Sequence, residues 1–283
     1  VLCSSVKNSV ARFVFLAKIT PTKSRMETMA IIIYLVTILM ERTTSMVPTE
    51  REERIEQEAM EYARAQKKTI ARRLTDPSKF LPERNPVSVF MAGSPGAGKT
   101  EASIELLKET EGSVVIRIDP DELRSEFPGY NGSNAWLFQK AVSILVDRIH
   151  DVVLDQSQSF LLDGTLSHYD VARQNVERSL KKKRSVQILY VYQEPRLAWE
   201  FVQAREAQEG RRIRPETFVD QYFEAREVVN RLKLEFGKKI SVDLLLKNND
   251  NSSRLYQAGI DQIDHHIPEK YSRADVEQMI KLV

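Results

Sequence analysis

The chain has 283 residues, enough for one or two domains with a substantial core. Its 42 Lys and Arg against 40 Asp and Glu leave a net charge of +2, which gives no electrostatic pull toward nucleic acid or an anionic membrane. The single cysteine, Cys3, excludes an internal disulfide and fits a reducing cytosol, and the four histidines (His150, His168, His265, His266) stand at no metal-ligand spacing with it.

Residues 1–48 are β-branched and poor in acid, and they include the charge-free run Met29–Met40. A membrane-spanning helix needs about twenty apolar residues, so this run is too short to cross a bilayer. Lys18, Lys23 and Arg25 precede it as in a secretory signal, but Glu41-Arg42-Thr43-Thr44 lacks a small-residue cleavage site. A buried or partner-facing segment is the expectation. Thr49-x-x-Glu52 then has the pattern of a capping box. The helix behind it carries Ile55, Ala59, Tyr62, Ala63, Ile70 and Leu74 mostly on one face, so it must dock on something. Asp76-Pro77, Pro82 and Pro86 mark its end and a loop.

From Pro86 onward, short apolar β-branched runs at 87–92, 113–118, 159–163, 186–192 and 241–246 read as strands buried on both faces. Helical patterns fall between and after them at about 100–110, 134–156, 170–182, 195–208 and 215–236. The alternation predicts an α/β fold: a mainly parallel five-stranded sheet flanked by helices, with a helical N-terminal extension. Lys181-Lys182-Lys183-Arg184, at a predicted helix end, reads as a solvated run that complements the helix dipole. Asp264-His265-His266 before Pro268 reads as a loop rather than a metal site, and Ser272-x-x-Asp275 resembles a second capping box opening a helix over 273–282.

The strongest chemical signal is Gly93-Ser94-Pro95-Gly96-Ala97-Gly98-Lys99-Thr100, a complete G-x-x-x-x-G-K-[ST] loop between a predicted strand and a predicted helix. Its glycines let backbone N–H groups curl around a phosphate, and the helix N-terminus adds positive potential. Lys99 would reach the β- and γ-phosphates of a nucleoside triphosphate, and Thr100 would offer its hydroxyl to Mg²⁺. Strand 113–118 runs into Asp119-Pro120-Asp121-Glu122, which a parallel sheet places at the same edge. One of these acids would take the proton of a hydroxyl attacking the γ-phosphate; the competing reading is a helix cap. Asp163-Gly164-Thr165 follows another strand, where P-loop folds usually keep an acid for water-mediated contact with Mg²⁺. Arg205, followed by Gly210-Arg211-Arg212-Ile213-Arg214, resembles the closing lid of a small kinase, against the plainer reading of a solvated helix end.

Together these motifs resemble the zeta toxin family: Gly-Ser-Pro-Gly-Ala-Gly-Lys-Thr, Ile118-Asp119-x-Asp121, Asp163-Gly164-Thr165 and two lid arginines, from about Val87 to Arg214. The resemblance implies an ATP- and Mg²⁺-dependent kinase that phosphorylates the 3′-hydroxyl of the amino sugar in UDP-N-acetylglucosamine and so poisons bacterial cell-wall synthesis. It implies Asp121 as catalytic base and Lys99 as the loop lysine. Arg205 and Arg212 would act on the transferring phosphoryl, with Thr100 and Asp163 on the metal side. Asp119, Asp147 and Thr165 would meet the substrate. Where the family archetype has an arginine after Gly-Thr, this chain has Leu166-Ser167-His168, so another small hydroxyl acceptor stays open, as does a nucleotide-binding switch with little turnover. The family is usually held by a small antitoxin. On that basis residues 1–80 are expected to be an extension, inhibitory in whole or part, ahead of a kinase domain at 81–283. The expected enzyme is cytoplasmic and engages neither nucleic acid nor membrane.

Overall fold

In a computed structural model of the chain, residues 49–109, 115–210, 213–248, 250 and 253–281 are described. The run Met29–Met40, most of the expected extension and Arg212 lie outside them. Helix α1 (Glu50–Leu74) begins in the expected capping box. The Thr49 amide donates to Glu52 Oε2 at 2.7 Å and the Glu52 amide to Thr49 Oγ1 at 3.3 Å. Ala59, Ala63, Ile70 and Ala71 are buried in the main core, which accounts for the small-residue stripe. The compact unit that holds the sheet begins at Ile55 and takes in most of α1.

Strands β1 (Val87–Ala92), β2 (Ile116–Ile118), β3 (Phe160–Leu162), β4 (Ser185–Tyr192) and β5 (Ser241–Lys247) form the parallel part of one sheet. A sixth strand, β6 (Ser253–Gln257), pairs antiparallel with β5, giving the order β2-β3-β1-β4-β5-β6. The sequence does not announce β6, because Leu255 and Tyr256 are exposed and the edge has no continuous apolar run. Side-chain alternation divides the interior. Phe90, Phe160, Leu162, Ile188 and Tyr190 enter the larger core, with α3 (Gln139–Asp155), α4 (Tyr169–Lys181) and α6 (Pro215–Phe236). Val89, Met91, Leu161, Leu189 and Val191 enter the smaller one under α2 (Lys99–Glu109).

Two local departures have clear causes. The expected helix over 134–156 opens as a 3-10 turn, Ala135–Phe138, before α3. Phe138 there packs its ring 5.6 Å from Phe127 and 5.6 Å from Tyr130, while Tyr62 of α1 lies 5.7 Å from Phe127. The basic run at the end of α4 is not solvated throughout. Lys183 adopts φ 55°, turning the chain so that Arg184 is buried. There Arg184 donates to Ser88 Oγ at 2.8 Å and to the carbonyls of Val87 and Gln158. These acceptors and the Phe160 ring, whose centroid lies 5.3 Å from the guanidinium carbon, offset the cost of burying the charge, although Nη1 has no hydrogen-bond partner among the described residues. Helix α5 (Pro195–Glu209) and the closing α7 (Arg273–Lys281) complete the fold, α7 starting in its own box, with the Ser272 amide 2.8 Å from Asp275 Oδ2.

Asp243 of β5 is buried and fastens the β6 edge. Its carboxylate accepts from Tyr256 Oη (2.6 Å), the Gly259 amide (2.8 Å), Ser241 Oγ and Gln187 Nε2. Burial alone would raise its pKa, but these donors outweigh it and hold the carboxyl below the usual range. Asp243→Ala is expected to cost about 2–3 kcal/mol, read from urea midpoints, since it orphans several donors at once. The contribution is fully present above the ordinary carboxyl pKa and disappears as the pH falls through the lowered folded value. The stability gap between wild type and Asp243→Ala should therefore be level near neutrality and narrow only in strong acid.

Candidate active site

The carboxyl ends of the parallel strands meet at one edge, where open α/β sheets bind ligands. β1 ends at Ala92 and the chain turns through Gly93–Gly98 into α2. Gly93 has φ 134°, and a Cβ there would lie 2.3 Å from the Val191 carbonyl oxygen. At Gly96, with φ 71°, a Cβ would lie 2.0 Å from the Ala198 carbonyl oxygen. Only glycine lets the loop pass this close to β4 and α5. The Gly93 amide donates to the Thr165 carbonyl at 3.2 Å, tying the loop to the segment after β3. Lys99 Nζ donates to the carbonyls of Gly93 (3.0 Å) and Ser94 (2.7 Å), so the ammonium lies across the loop.

A cleft of about 400 Å³ opens over this loop. Pro95, Gly96, Gly98, Lys99 and Thr100 line one side, Asp119, Asp121, Asp163 and Thr165 another, and Arg205 with Phe201 and Gln208 the α5 side. Gly93, Ser94 and Ala97 belong to the same loop without lining the cleft; the other expected residues are thus brought together, except Asp147 and Arg212. Asp147 projects from α3 toward α4, where Arg178 Nη1 lies 3.7 Å away while Nη2 of the same arginine pairs with Asp151; Asp147 is not among the cleft residues. The helix is long, and its N-terminus rather than its middle meets the cleft, through Gln139. Arg212 lies outside the described residues.

Further residues shape the site. Arg117 of β2 pairs through Nη2 with Asp163 Oδ2 (2.7 Å) and with Asp119, and through Nη1 with Glu122 Oε1 (2.5 Å). Its Nε donates to Ser103 Oγ at 3.1 Å, and that hydroxyl lies 3.0 Å from Asp163 Oδ2. Desolvation works against the Arg117 charge, but Asp163, Asp119 and Glu122 keep its pKa above the ordinary value. Burial, with the neighbouring Asp121 charge, raises the Asp119 carboxyl, while Arg117 opposes the shift. Arg124, buried under the turn that carries Asp121, donates to Asp121 Oδ1 and, through Nη2, to Gln139 Oε1 at 2.9 Å. Asp119 Oδ1 in turn accepts the Asp121 amide at 2.7 Å, making the Asp-Pro-Asp turn rigid. A lone arginine inside an apolar run, Val115-Ile116-Arg117-Ile118, is the available signal for Arg117, since a buried cation demands acids nearby.

Arg205 lies near the end of α5, half-exposed, with Nη2 3.3 Å from Glu209 Oε2. Gly210 ends α5 at φ 70°, and across it the 127–134 loop packs closely. A Cβ on Gly132 would lie 2.5 Å from the Glu209 carbonyl oxygen.

The oxygen donors of the cleft, the Thr100 hydroxyl and the carboxylates of Asp163 and Asp119, suit a hard cation such as Mg²⁺. Among the described residues no group of three or more His, Cys, Asp or Glu is placed to hold a metal ion unaided. No helix of the described residues is long and apolar enough to cross a membrane.

Comparisons with known proteins bear on the fold and the family. The toxin PezT of Streptococcus pneumoniae serotype 4 is 27% identical over 123 residues, which cover 41% of this chain. The chain thus spans about half the length of that curated relative (48%). A structure from work on the PezAT chromosomal toxin–antitoxin system of S. pneumoniae superposes with a TM-score of 0.55 at 19% identity, over 83% of this chain and 94% of its own. The AvrRxo1-ORF1:AvrRxo1-ORF2 structure with sulphate ions gives 0.50 at 15% identity, over 75% and 70%. At such identities both likenesses concern the fold. The family model described as Zeta toxin matches residues 70–261, from the end of α1 past β6. A match over more than half the length, spanning the phosphate loop and the strand ends that face it, establishes that the chain belongs to the zeta toxin family.

Proposed function

We propose that the protein is a cytoplasmic ATP- and Mg²⁺-dependent kinase that phosphorylates the 3′-hydroxyl of the amino sugar in UDP-N-acetylglucosamine and acts as a bacterial toxin. The observation that carries this reading is one cleft with the phosphate loop on one wall, Asp121 on another and Arg205 on a third. Loop amides and Lys99 would hold the triphosphate. Mg²⁺, when bound through Thr100 and Asp163, would offset phosphate charge. Asp121, fixed by Arg124 and by the Asp119 turn, would accept the proton of the acceptor hydroxyl. The hydroxyl oxygen then bonds to the γ-phosphorus as the bond to the β–γ bridging oxygen breaks, and ADP leaves. Arg205 would meet charge on the transferring phosphoryl, with Arg212 as its proposed second. Asp119 and Thr165 would flank the sugar nucleotide.

A second acceptor class, another small hydroxyl compound such as an antibiotic or metabolite, is favoured by one feature: Leu166-Ser167-His168 stands where the family archetype has an arginine. For regulation we propose an antitoxin, in trans or as residues 1–48 in cis. A tether would supply an effective concentration of order millimolar, so even a weak contact would hold the site shut. The PezAT system, to which this fold is similar, pairs a toxin with an antitoxin.

The deciding experiment is the ATP-dependent gain of one phosphate by UDP-N-acetylglucosamine, read by mass spectrometry. It compares the full chain with a chain starting at Thr49, a start that keeps the buried face of α1. Product from the short form alone is expected if residues 1–48 inhibit; equal product from both removes inhibition in cis. With ATP binding intact, no product from either sends the search to other acceptors. Asp121→Asn should lower kcat about 10²–10⁴-fold with ATP affinity nearly unchanged, as for loss of a general base; an unchanged kcat removes Asp121 from that role. Lys99→Ala should weaken both ATP binding and turnover, separable by nucleotide titration against single-turnover rates.

A further inference from the structure

β2 alternates across the sheet: Ile116 and Ile118 enter the larger core, so Arg117 between them serves the other face, beneath α2. There its guanidinium sits behind the cleft wall and is mostly buried, with 13% of the side chain exposed. Each carboxylate it binds has a different place. Glu122 is largely in solvent, but Asp119 and Asp163 are buried and line the cleft beside Thr100. One amino group, Nη2, spans both of these acids. Asp163 Oδ2 accepts from Arg117 and shares the single proton of the Ser103 hydroxyl, 3.0 Å away, with the Thr100 carbonyl at 2.8 Å. Asp119 is satisfied twice, by Arg117 on Oδ2 and the Asp121 amide on Oδ1.

Two buried carboxylates converging on one cleft would by themselves attract a divalent cation, because burial makes uncompensated charge costly. Here a fixed cation from the protein already meets that demand. We propose that Arg117 is the resident counter-cation of the cleft: it ties Asp163 and Asp119 to one guanidinium, so the nucleotide-free protein binds divalent ions weakly and the metal enters with the nucleotide phosphates. The same pairing makes Arg117 a positioning residue for the turn that carries Asp121. The proposal rests on the reading of Thr100 and Asp163 as the metal-side donors.

The test is a Mn²⁺ titration of the full chain without nucleotide or acceptor, with free Mn²⁺ read by electron paramagnetic resonance. Wild type should bind weakly. R117Q should bind about one ion, at least about tenfold more tightly, because two buried carboxylates then lack their cation. R117K, which keeps the charge, should stay weak. Wild-type affinity in a folded R117Q overturns the proposal, and so does equal tightening in R117K, which would point to packing rather than charge. Should R117Q fail to fold, R117Q/E122Q removes one acid along with the cation, and its melting temperature is read with and without Mn²⁺. A rise larger than that of wild type supports the proposal; no such rise overturns it. Binding and turnover of ATP by the unaltered protein test the kinase reading separately, so the two failures are distinguishable.

Discussion

The close approach of the phosphate loop to β4 and α5 is the constraint on which the rest of the site depends. The loop backbone passes so near the Val191 and Ala198 carbonyls that a single methyl group at residue 93 or 96 would collide with them. Three things follow from that contact. The start of α2 is fixed against the sheet, with Thr100 and Lys99 facing the cleft. The helix that carries Arg205 is held on the opposite side of the same cleft, since Ala198 belongs to α5. And the segment after β3 is drawn in through the Thr165 carbonyl, which brings Asp163 alongside. Parallel strands place their carboxyl ends at one edge, but it is this contact that sets how near the groups on that edge come.

Charge in the cleft is arranged with similar economy. Lys99 rests on loop carbonyls, Arg117 on Asp163 and Asp119, and Arg124 on Asp121 and Gln139. Asp119, Asp121 and Asp163 are thus each held from behind by an arginine. Such preorganisation would leave little rearrangement to be made in the proposed phosphoryl transfer, which is where catalysis by fixed charge would draw its advantage. The aromatic contacts of Tyr62, Phe127, Phe138 and Tyr130 tie α1 to the segment that follows the Asp121 turn, so α1 braces that segment as well as covering the core.

Features governed by neighbours in sequence were legible without the structure. Both capping boxes form as their spacing implies, because donor and acceptor are three residues apart on the same turn. The five parallel strands and the helices between them follow from short apolar runs and helical spacing. Asp119, Asp121, Asp163 and Thr165 reach the cleft because strand ends in a parallel sheet share an edge. Elements that depend on distant partners were not legible. β6 is held by Asp243 and β5 rather than by its own apolar pattern. Arg184 looked like one more cation in a basic run until the left-handed turn at Lys183 sent it under the sheet.

The sequence by itself determined the phosphate loop, the α/β alternation and the strand-end acids, since each is written in residues close together along the chain. Only the tertiary structure decided which charges meet. It carried Asp147 away from the cleft to Arg178 and placed Arg117 among three acids that come from two strand ends and a 3-10 turn. The physical reason is that pairing of buried charge depends on separation in space. That separation is set by packing of the sheet and α2, which no local spacing encodes.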